Sequence, residues 1–449
     1  MNQIQSLVNT QSLFFKTKKT WDISFRKQAL KNLKATIQAM ESEIYDALFA
    51  DLRKSKTESY MSEVGMVYSE IDFMLKHMSK YAKKIHVHTP LAQFHAHSYI
   101  QPCPKGNVLI MSPWNYPFLL TMDPLIDAIA AGNTAIVKPS AYAPETSKII
   151  EKIIQNTFNS NFVSTITGGR KENQELLNQK FNHIFFTGSQ AVGKEVLKKA
   201  SEHFTTVTLE LGGKSPCIVE KSADIKLAAK RIVFGKLLNC GQTCVAPDFI
   251  LCDVSIEHDL VEALKKEYKK QYEGNGKIIN AKHFERLTSL LDEKEIVFGG
   301  TYNEEELTIE PTILRSSFQS KIMEDEIFGP ILPVVSYQSL DEAKEYILSK
   351  SCPLALYIFS KNKVVIEDIT TSIPFGGGCI NDTVIHLATS QMGFGGCQES
   401  GMGSYHGKQG FDTFSHYKSI VDKKNWIDLP IRYQPYTDLK EKLIRMFMK

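Results

Sequence analysis

No two cysteines of this chain follow the C-x-x-C spacing that would mark a zinc knuckle or a dithiol redox motif. The eight cysteines stand at 103, 217, 240, 244, 252, 352, 379 and 397. Cys240 and Cys244 are four apart, but no second ligand pair accompanies them, so no metal site is expected. Scattered cysteines in a long chain read as reduced thiols of a cytoplasmic protein, not as a disulfide framework. Long apolar runs are missing too. Residues 125–137 are too few to span a bilayer and are interrupted by Asp127, Gly132 and Asn133. The N-terminal stretch has no basic segment leading into an apolar one, so no secretory leader is expected. Nor does one sign of charge dominate. The formal net charge is +3, and Lys and Arg alternate with Asp and Glu throughout. That balance gives no reason to expect a nucleic-acid partner.

What is present is ordinary globular composition, 43% hydrophobic and 23% charged over 449 residues. That length allows two or three domains. The first hundred residues carry helical periodicity. Leu30, Leu33, Ile37, Met40, Ile44 and Leu48 form one apolar stripe, with Asp22 or Ser24 as possible N-caps. Val64, Val67, Ile71, Leu75 and Met78 form a second. From about residue 98 short apolar runs alternate with helical stretches: 107–111, 134–137, 163–166 and 183–186. Alternation of this kind predicts parallel strands with crossover helices, an open α/β sheet. Polar motifs follow three of these strands: Ser112-Pro113-Trp114-Asn115, Lys138-Pro139-Ser140 and Thr187-Gly188-Ser189. Ligands bind beyond the carboxyl ends of such strands. A second α/β region begins near Glu210 and runs to about residue 405.

The segment 183–194 reads as strand, turn and helix, with Val192, Val196, Leu197 and Ala200 on a buried face. Gly188 permits a tight turn, and the helix start offers free N–H groups to a pyrophosphate. Gly188, Gly193 and Lys194 almost spell a P-loop. The next residue is Glu195, where a Ser or Thr is needed to hold magnesium, so nucleotide hydrolysis is not expected.

Three side chains are candidates for chemistry. Cys244 lies in the run Gly241-Gln242-Thr243-Cys244-Val245-Ala246-Pro247, where its surroundings could set a reactive thiolate; a packed thiol is the alternative. Glu210 lies between Leu209 and Leu211. Partial burial would raise its pKa toward that of a general base; a surface acid beside a turn fits this segment equally well. Asn115 could donate to a developing oxyanion, or merely shape a turn between Pro113 and Pro117.

Taken in order, the motifs at 112–117, 138–140, 186–189, 209–214, 241–247 and 326–330 resemble those of the aldehyde dehydrogenase superfamily. The segment 400–408, followed by 410–416, is similar to the class 3 branch, the fatty and aromatic aldehyde dehydrogenases. The resemblance covers almost the whole chain. It implies an α/β fold in three parts: a Rossmann-like dinucleotide-binding domain (1–80 and 103–209), a catalytic domain (210–405), and a bridging or oligomerisation element with a C-terminal tail (81–102 and 406–449). It implies an aldehyde substrate, NAD and/or NADP as coenzyme, no metal, and a homodimer. Cys244 would be the nucleophile, Glu210 the general base and Asn115 an oxyanion donor. The cofactor-binding set would be Trp114, Lys138, Ser140, Gly188, Ser189, Gly193, Glu326 and Phe328.

The chain departs from the family pattern in places. Ala141 stands where many relatives carry a glutamate that binds the adenosine ribose, so activity with both coenzymes is expected. Gly393 and Gln398 replace a proline and a glycine in a loop that often borders the substrate opening. Unlike the membrane-bound members of the branch, the chain shows no hydrophobic anchor before Lys449, so no stable membrane attachment is expected. Cys240 could form a reversible disulfide with Cys244, although plain packing is the simpler reading. Two rival functions remain: an acylating enzyme that passes the thioester to coenzyme A, and a non-catalytic coenzyme-binding protein on the same fold.

Overall fold

The computed structural model describes residues 3–448. Strands Asn107–Met111, Thr134–Lys138, Val163–Thr165, His183–Gly188 and Thr206–Leu211 form a parallel sheet. Its spatial order places 107–111 between 134–138 and 183–188. Successive strands therefore run outward in one direction up to 163–165 and in the other from 183–188 onward. The point of reversal falls beside Ser112 and Gly188, where an open α/β sheet leaves a crevice. All five residues of each of the strands 107–111 and 134–138 are buried, as expected for a parallel sheet covered on both faces.

The helical stripes cover this sheet. Leu30, Leu33, Ile37, Ile44, Leu48, Val67, Ile71 and Met78 share one core with Ile126, Ile129, Ile150 and Ile153. The first stripe is two helices, Ile23–Ala39 and Glu41–Leu52, broken at Met40. Asp22 is the N-cap, accepting from the Ser24 N–H at 2.9 Å. In the second stripe Met74 is fully buried and Leu75 only partly so.

A second sheet of seven strands contains Pro216–Val219, Phe249–Asp253, Ile331–Tyr337 and Ala355–Phe359 at its centre. Strands Ile85–Val87, Ala96–Pro104 and Ser415–Lys423 make a separate antiparallel sheet of three. One late segment returns to the first sheet. Gly401 and Met402 pair antiparallel with Glu210 and Leu209.

Two expectations need correction. Cys352 and Cys397 are joined in a disulfide with their Cα atoms 6.3 Å apart, so not all cysteines are reduced thiols. Folding brings together two residues 45 apart in sequence, a pairing that scattered spacing does not reveal. Val192 is 37% exposed and does not belong to the buried helix face. It lies in the first turn of Gln190–Ser201, before the helix reaches the sheet.

Candidate active site

Cys244 follows a short 3-10 turn, Leu238–Gly241, in which Asn239, Cys240 and Gly241 all have positive φ. At Gly241 φ is +70°, and a Cβ would come within 2.2 Å of the Gly329 carbonyl oxygen. Only glycine allows the loops around 241 and 329 to touch this closely. The contact brings the segment carrying Glu326 and Phe328 against the segment carrying Cys244.

The Cys244 loop is also tied to the Asn115 loop. Asn115 Nδ2 donates to the Gln242 carbonyl at 3.1 Å, and the Tyr116 and Thr243 hydroxyls are 2.6 Å apart. Asn239 Nδ2 bridges the two loops, donating to the Asn115 carbonyl at 2.7 Å and to the Gln242 carbonyl at 3.1 Å. The Gln242 side chain is satisfied by Asn239, Lys277 and Ile279. Asn115 is 3% exposed. One of its two amide hydrogens is used by Gln242, which leaves the other for a ligand.

Glu210 is the penultimate residue of the strand Thr206–Leu211, opposite Thr187, and is 3% exposed, with no hydrogen-bond partner for either carboxylate oxygen. Burial pushes its carboxyl well above the ordinary range. The surface alternative for Glu210 is therefore excluded. Cys244 is half-buried. Burial, then the charges of Glu326 and Glu210, push its thiol up to about 12, while the backbone N–H groups of Cys244 and Val245 act in the opposite direction. The nucleophile candidate thus sits within the electrostatic reach of both carboxylates. Cys240 faces elsewhere. Its sulfur points to the Asn275 carbonyl, and it packs against a different hydrophobic cluster from Cys244.

The proposed coenzyme residues occupy several positions along the crevice. Ser189 is exposed and N-caps the helix Gln190–Ser201, accepting from Val192 N–H at 3.5 Å. Gly193 lies on the buried side of that helix, where a Cβ would be 2.8 Å from the Leu211 side chain, so it permits close helix–strand packing. At Gly188 a Cβ would meet the Phe186 ring at 2.6 Å. Lys138 is buried and donates to the carbonyls of Pro139 at 2.8 Å and Gly168 at 2.7 Å. Burial lowers its ammonium to about 8. Ser140 caps a turn, accepting from Tyr142 N–H at 3.2 Å. Trp114 meets Phe328 edge to face at 5.4 Å and the His283 ring at 5.1 Å.

Glu326 lies over Gly212, where a Cβ would strike its Oε2 at 2.2 Å. Burial first, then Asp248, raise its carboxyl to about 8. Lys214 and Asp248 hold this carboxylate's loop in place. Their ion pair is 2.8 Å long; Lys214 also donates to the Ile322 and Asp325 carbonyls, and Asp248 accepts from Ile327 N–H.

These groups fit a dinucleotide. The exposed start of a 12-residue helix suits a pyrophosphate. The half-buried Glu326 carboxylate suits ribose hydroxyls, and Lys138 keeps one unused hydrogen for another polar group.

Sequence reasoning missed Lys54, Glu63, Asn239, Asp248 and His283. A signal existed for Glu63: it stands beside the stripe residue Val64, one heptad before Glu70, where a core-facing acid is unusual.

The family model described as "Aldehyde dehydrogenase family" matches residues 2–420. The chain is 47% identical to 4,4'-diaponeurosporen-aldehyde dehydrogenase of Staphylococcus aureus over the whole of both chains. It is 44% identical to the mouse protein named "Aldehyde dehydrogenase, dimeric NADP-preferring", covering 94% of this chain and 95% of that one. A solved structure described as the substrate-bound state of Staphylococcus aureus AldH superposes with a TM-score of 0.98 at 47% identity, covering 100% of both chains. Betaine aldehyde dehydrogenase of the same organism, solved with NAD+, gives a TM-score of 0.86 at 25% identity, over 96% of this chain and 91% of that one.

Proposed function

Because the chain belongs to the aldehyde dehydrogenase family, we propose that Cys244, Glu210 and Asn115 are the residues through which it works. The enzyme oxidises an aldehyde to the carboxylic acid with NAD or NADP. When bound, the coenzyme supplies the hydride acceptor. The observation that carries the assignment is the meeting of Cys244, a buried unpartnered Glu210 and a braced Asn115 at the head of one crevice.

The Cys244 thiol gives up its proton to solvent and its sulfur adds to the aldehyde carbon. The alkoxide that forms is held by Asn115 Nδ2–H and the Cys244 N–H. As the carbonyl re-forms, hydride leaves and a thioester remains on Cys244. Glu210 takes a proton from water, the hydroxide adds to the thioester, the acid is released, and the departing Cys244 thiolate takes the proton back from Glu210. The balance is one aldehyde and one water converted to one acid, one transferred hydride and one proton. A buried base with no other partner favours water over coenzyme A as acceptor. An assay with and without coenzyme A decides this, and acyl-coenzyme A as the main product would remove Glu210 from its role.

We place coenzyme binding at Trp114, Lys138, Ser140, Gly188, Ser189, Glu326 and Phe328, with Gly193 shaping the helix behind them. Lys138 and Ser140 sit on the adenosine side, Glu326 and Phe328 on the nicotinamide side. The dinucleotide domain takes residues 1–80 and 103–209, the catalytic domain 210–405, and the bridging element 81–102 with 406–449. The substrate is a long apolar aldehyde. The named polyene-aldehyde relative supports this, as does exposed Met402, which pairs with the Glu210 strand, with Ile385 and Met392 exposed in the stretch that leads into it. A panel from short aliphatic to polyene aldehydes, ranked by kcat/KM, tests it; a preference for short polar aldehydes refutes it.

The enzyme acts as a cytoplasmic homodimer. The strand Ser415–Lys423 is paired on one side only, and Val87, Leu91, Phe94 and Trp426 are exposed around its sheet. One relative is named as dimeric. No helix among the described residues is long and apolar enough to cross a membrane. Light scattering after gel filtration, and cell fractionation, test these two points.

A further inference from the structure

Beneath the Asn115 loop lies an ion pair that the chemistry above does not use. Lys54 Nζ meets Glu63 Oε1 at 2.5 Å, with the two side chains 1% and 0% exposed. Local geometry drives both inward. Arg53, at φ +52°, ends the helix Glu41–Leu52 in a left-handed turn, and Lys54 follows it into the core. Glu63 lies in a π-helical turn, Tyr60–Val64, closed by the Gly65 N–H donating to the Tyr60 carbonyl. Such a turn inserts a residue into the helical repeat and re-aims a side chain.

Three groups surround the Lys54 ammonium. Besides Glu63, it donates to the Asn115 carbonyl at 2.9 Å and lies 3.8 Å from the centre of the Tyr116 ring. Glu63 uses its second oxygen to accept from Phe118 N–H at 2.9 Å and Leu119 N–H at 3.1 Å, at the start of the helix Leu119–Ala131. The pair thus grips residues 115, 116, 118 and 119 at once, while the Tyr116 hydroxyl reaches Thr243, next to the nucleophile.

We propose that Lys54 and Glu63 are a positioning pair that fixes the Asn115 amide for the oxyanion, a role that rests on the reading of Asn115 given above. The Asn115 carbonyl receives two donors, Lys54 and Asn239. Together they set the peptide plane from which the Asn115 side chain departs. A buried ion pair is a weak source of net stability, because desolvation offsets its attraction. Its retention here follows from geometry. A donor misplaced by about 1 Å costs on the order of a hundredfold in rate.

The test is a double-mutant cycle on the full-length enzyme, read by the single-turnover rate of hydride release and by the coenzyme KM. The neutral variant Lys54→Met/Glu63→Gln should lose about 30- to 100-fold in rate with coenzyme KM unchanged within about twofold. Added to Asn115→Ala, the same change should cost nothing further. If the losses multiply, or if the folded neutral variant runs within about threefold of the parent, the proposal is overturned. Should the double variant fail to fold, Glu63→Gln enters the same cycle under the same criteria, with Lys54→Arg as the conservative control. Lys54→Arg, which can still donate to the Asn115 carbonyl, should lose least. An Asn115→Ala enzyme at the parent rate would overturn the oxyanion role itself, an outcome distinct from multiplying losses.

Discussion

The loops that carry Asn115 and Cys244 are cross-braced by buried hydrogen bonds, with Gln242, Asn239 and Tyr116 all satisfied inside the protein. The coenzyme side is more open: Ser189 is exposed, Ala141 is exposed, and Val192 faces outward. Where charge appears and vanishes within a reaction, donors are fixed in advance, so none must reorganise in the transition state. Where a ligand arrives and leaves, the chain leaves a helix end and a half-buried carboxylate for the ligand to complete.

Cys244→Ala attacks the braced side directly. Turnover should fall at least about ten-thousandfold while coenzyme affinity, read by fluorescence titration, stays within about threefold. A variant that still turns over near the parent rate ends the assignment of the nucleophile. Glu210→Gln should fall about a hundredfold or more in steady state and yet give a burst of hydride transfer, with the thioester visible by intact-protein mass. The raised carboxyl of Glu210 fixes the sign of the pH effect. The base is protonated at low pH and gains function as pH rises through its elevated pKa, so deacylation should speed up with rising pH. That rising limb should be missing in Glu210→Gln.

On the open side effects should be smaller. Without an acid at residue 141, kcat/KM for NAD should exceed that for NADP by less than about a thousandfold. Ala141→Glu should move the ratio toward NAD by about tenfold, chiefly through KM for NADP. An unchanged ratio would mean that residue 141 does not meet the ribose. The smallest effect lies behind both sides, in buried Asp127, whose carboxyl is pushed well above its ordinary value by burial and by Glu70 and Asp123. The folded chain there binds a proton more tightly than the unfolded one. That contribution is complete below the unfolded pKa of about 4 and is lost as pH rises toward the folded value. Asp127→Asn should flatten the decline in urea stability above pH 4, by about 1 kcal/mol or less per pH unit.

The sheet was readable from sequence because its strands are short apolar runs buried on both faces, with polar motifs at their ends. Glu210 was readable as an acid between two leucines, though only the fold shows that both its oxygens lack partners. Lys54 and Glu63 were hidden because a π-helical turn breaks the helical period, and because their partner lies more than fifty residues further on. Cys352 and Cys397 were hidden for a similar reason: long-range closure leaves no local spacing to read. Val192 was misplaced because a periodic pattern does not show where a helix begins to touch its sheet.

The pairing of Gly401–Met402 with Leu209–Glu210 has a consequence for synthesis. When the strand 206–211 leaves the ribosome, the segment that will cover its outer edge lies about 190 residues in the future. At about 5–20 residues per second the strand waits roughly 10–40 seconds with an unprotected edge. Glu210 therefore stands on the part of the sheet that is finished last, and a chain truncated before residue 401 would expose a sticky margin beside the proposed base.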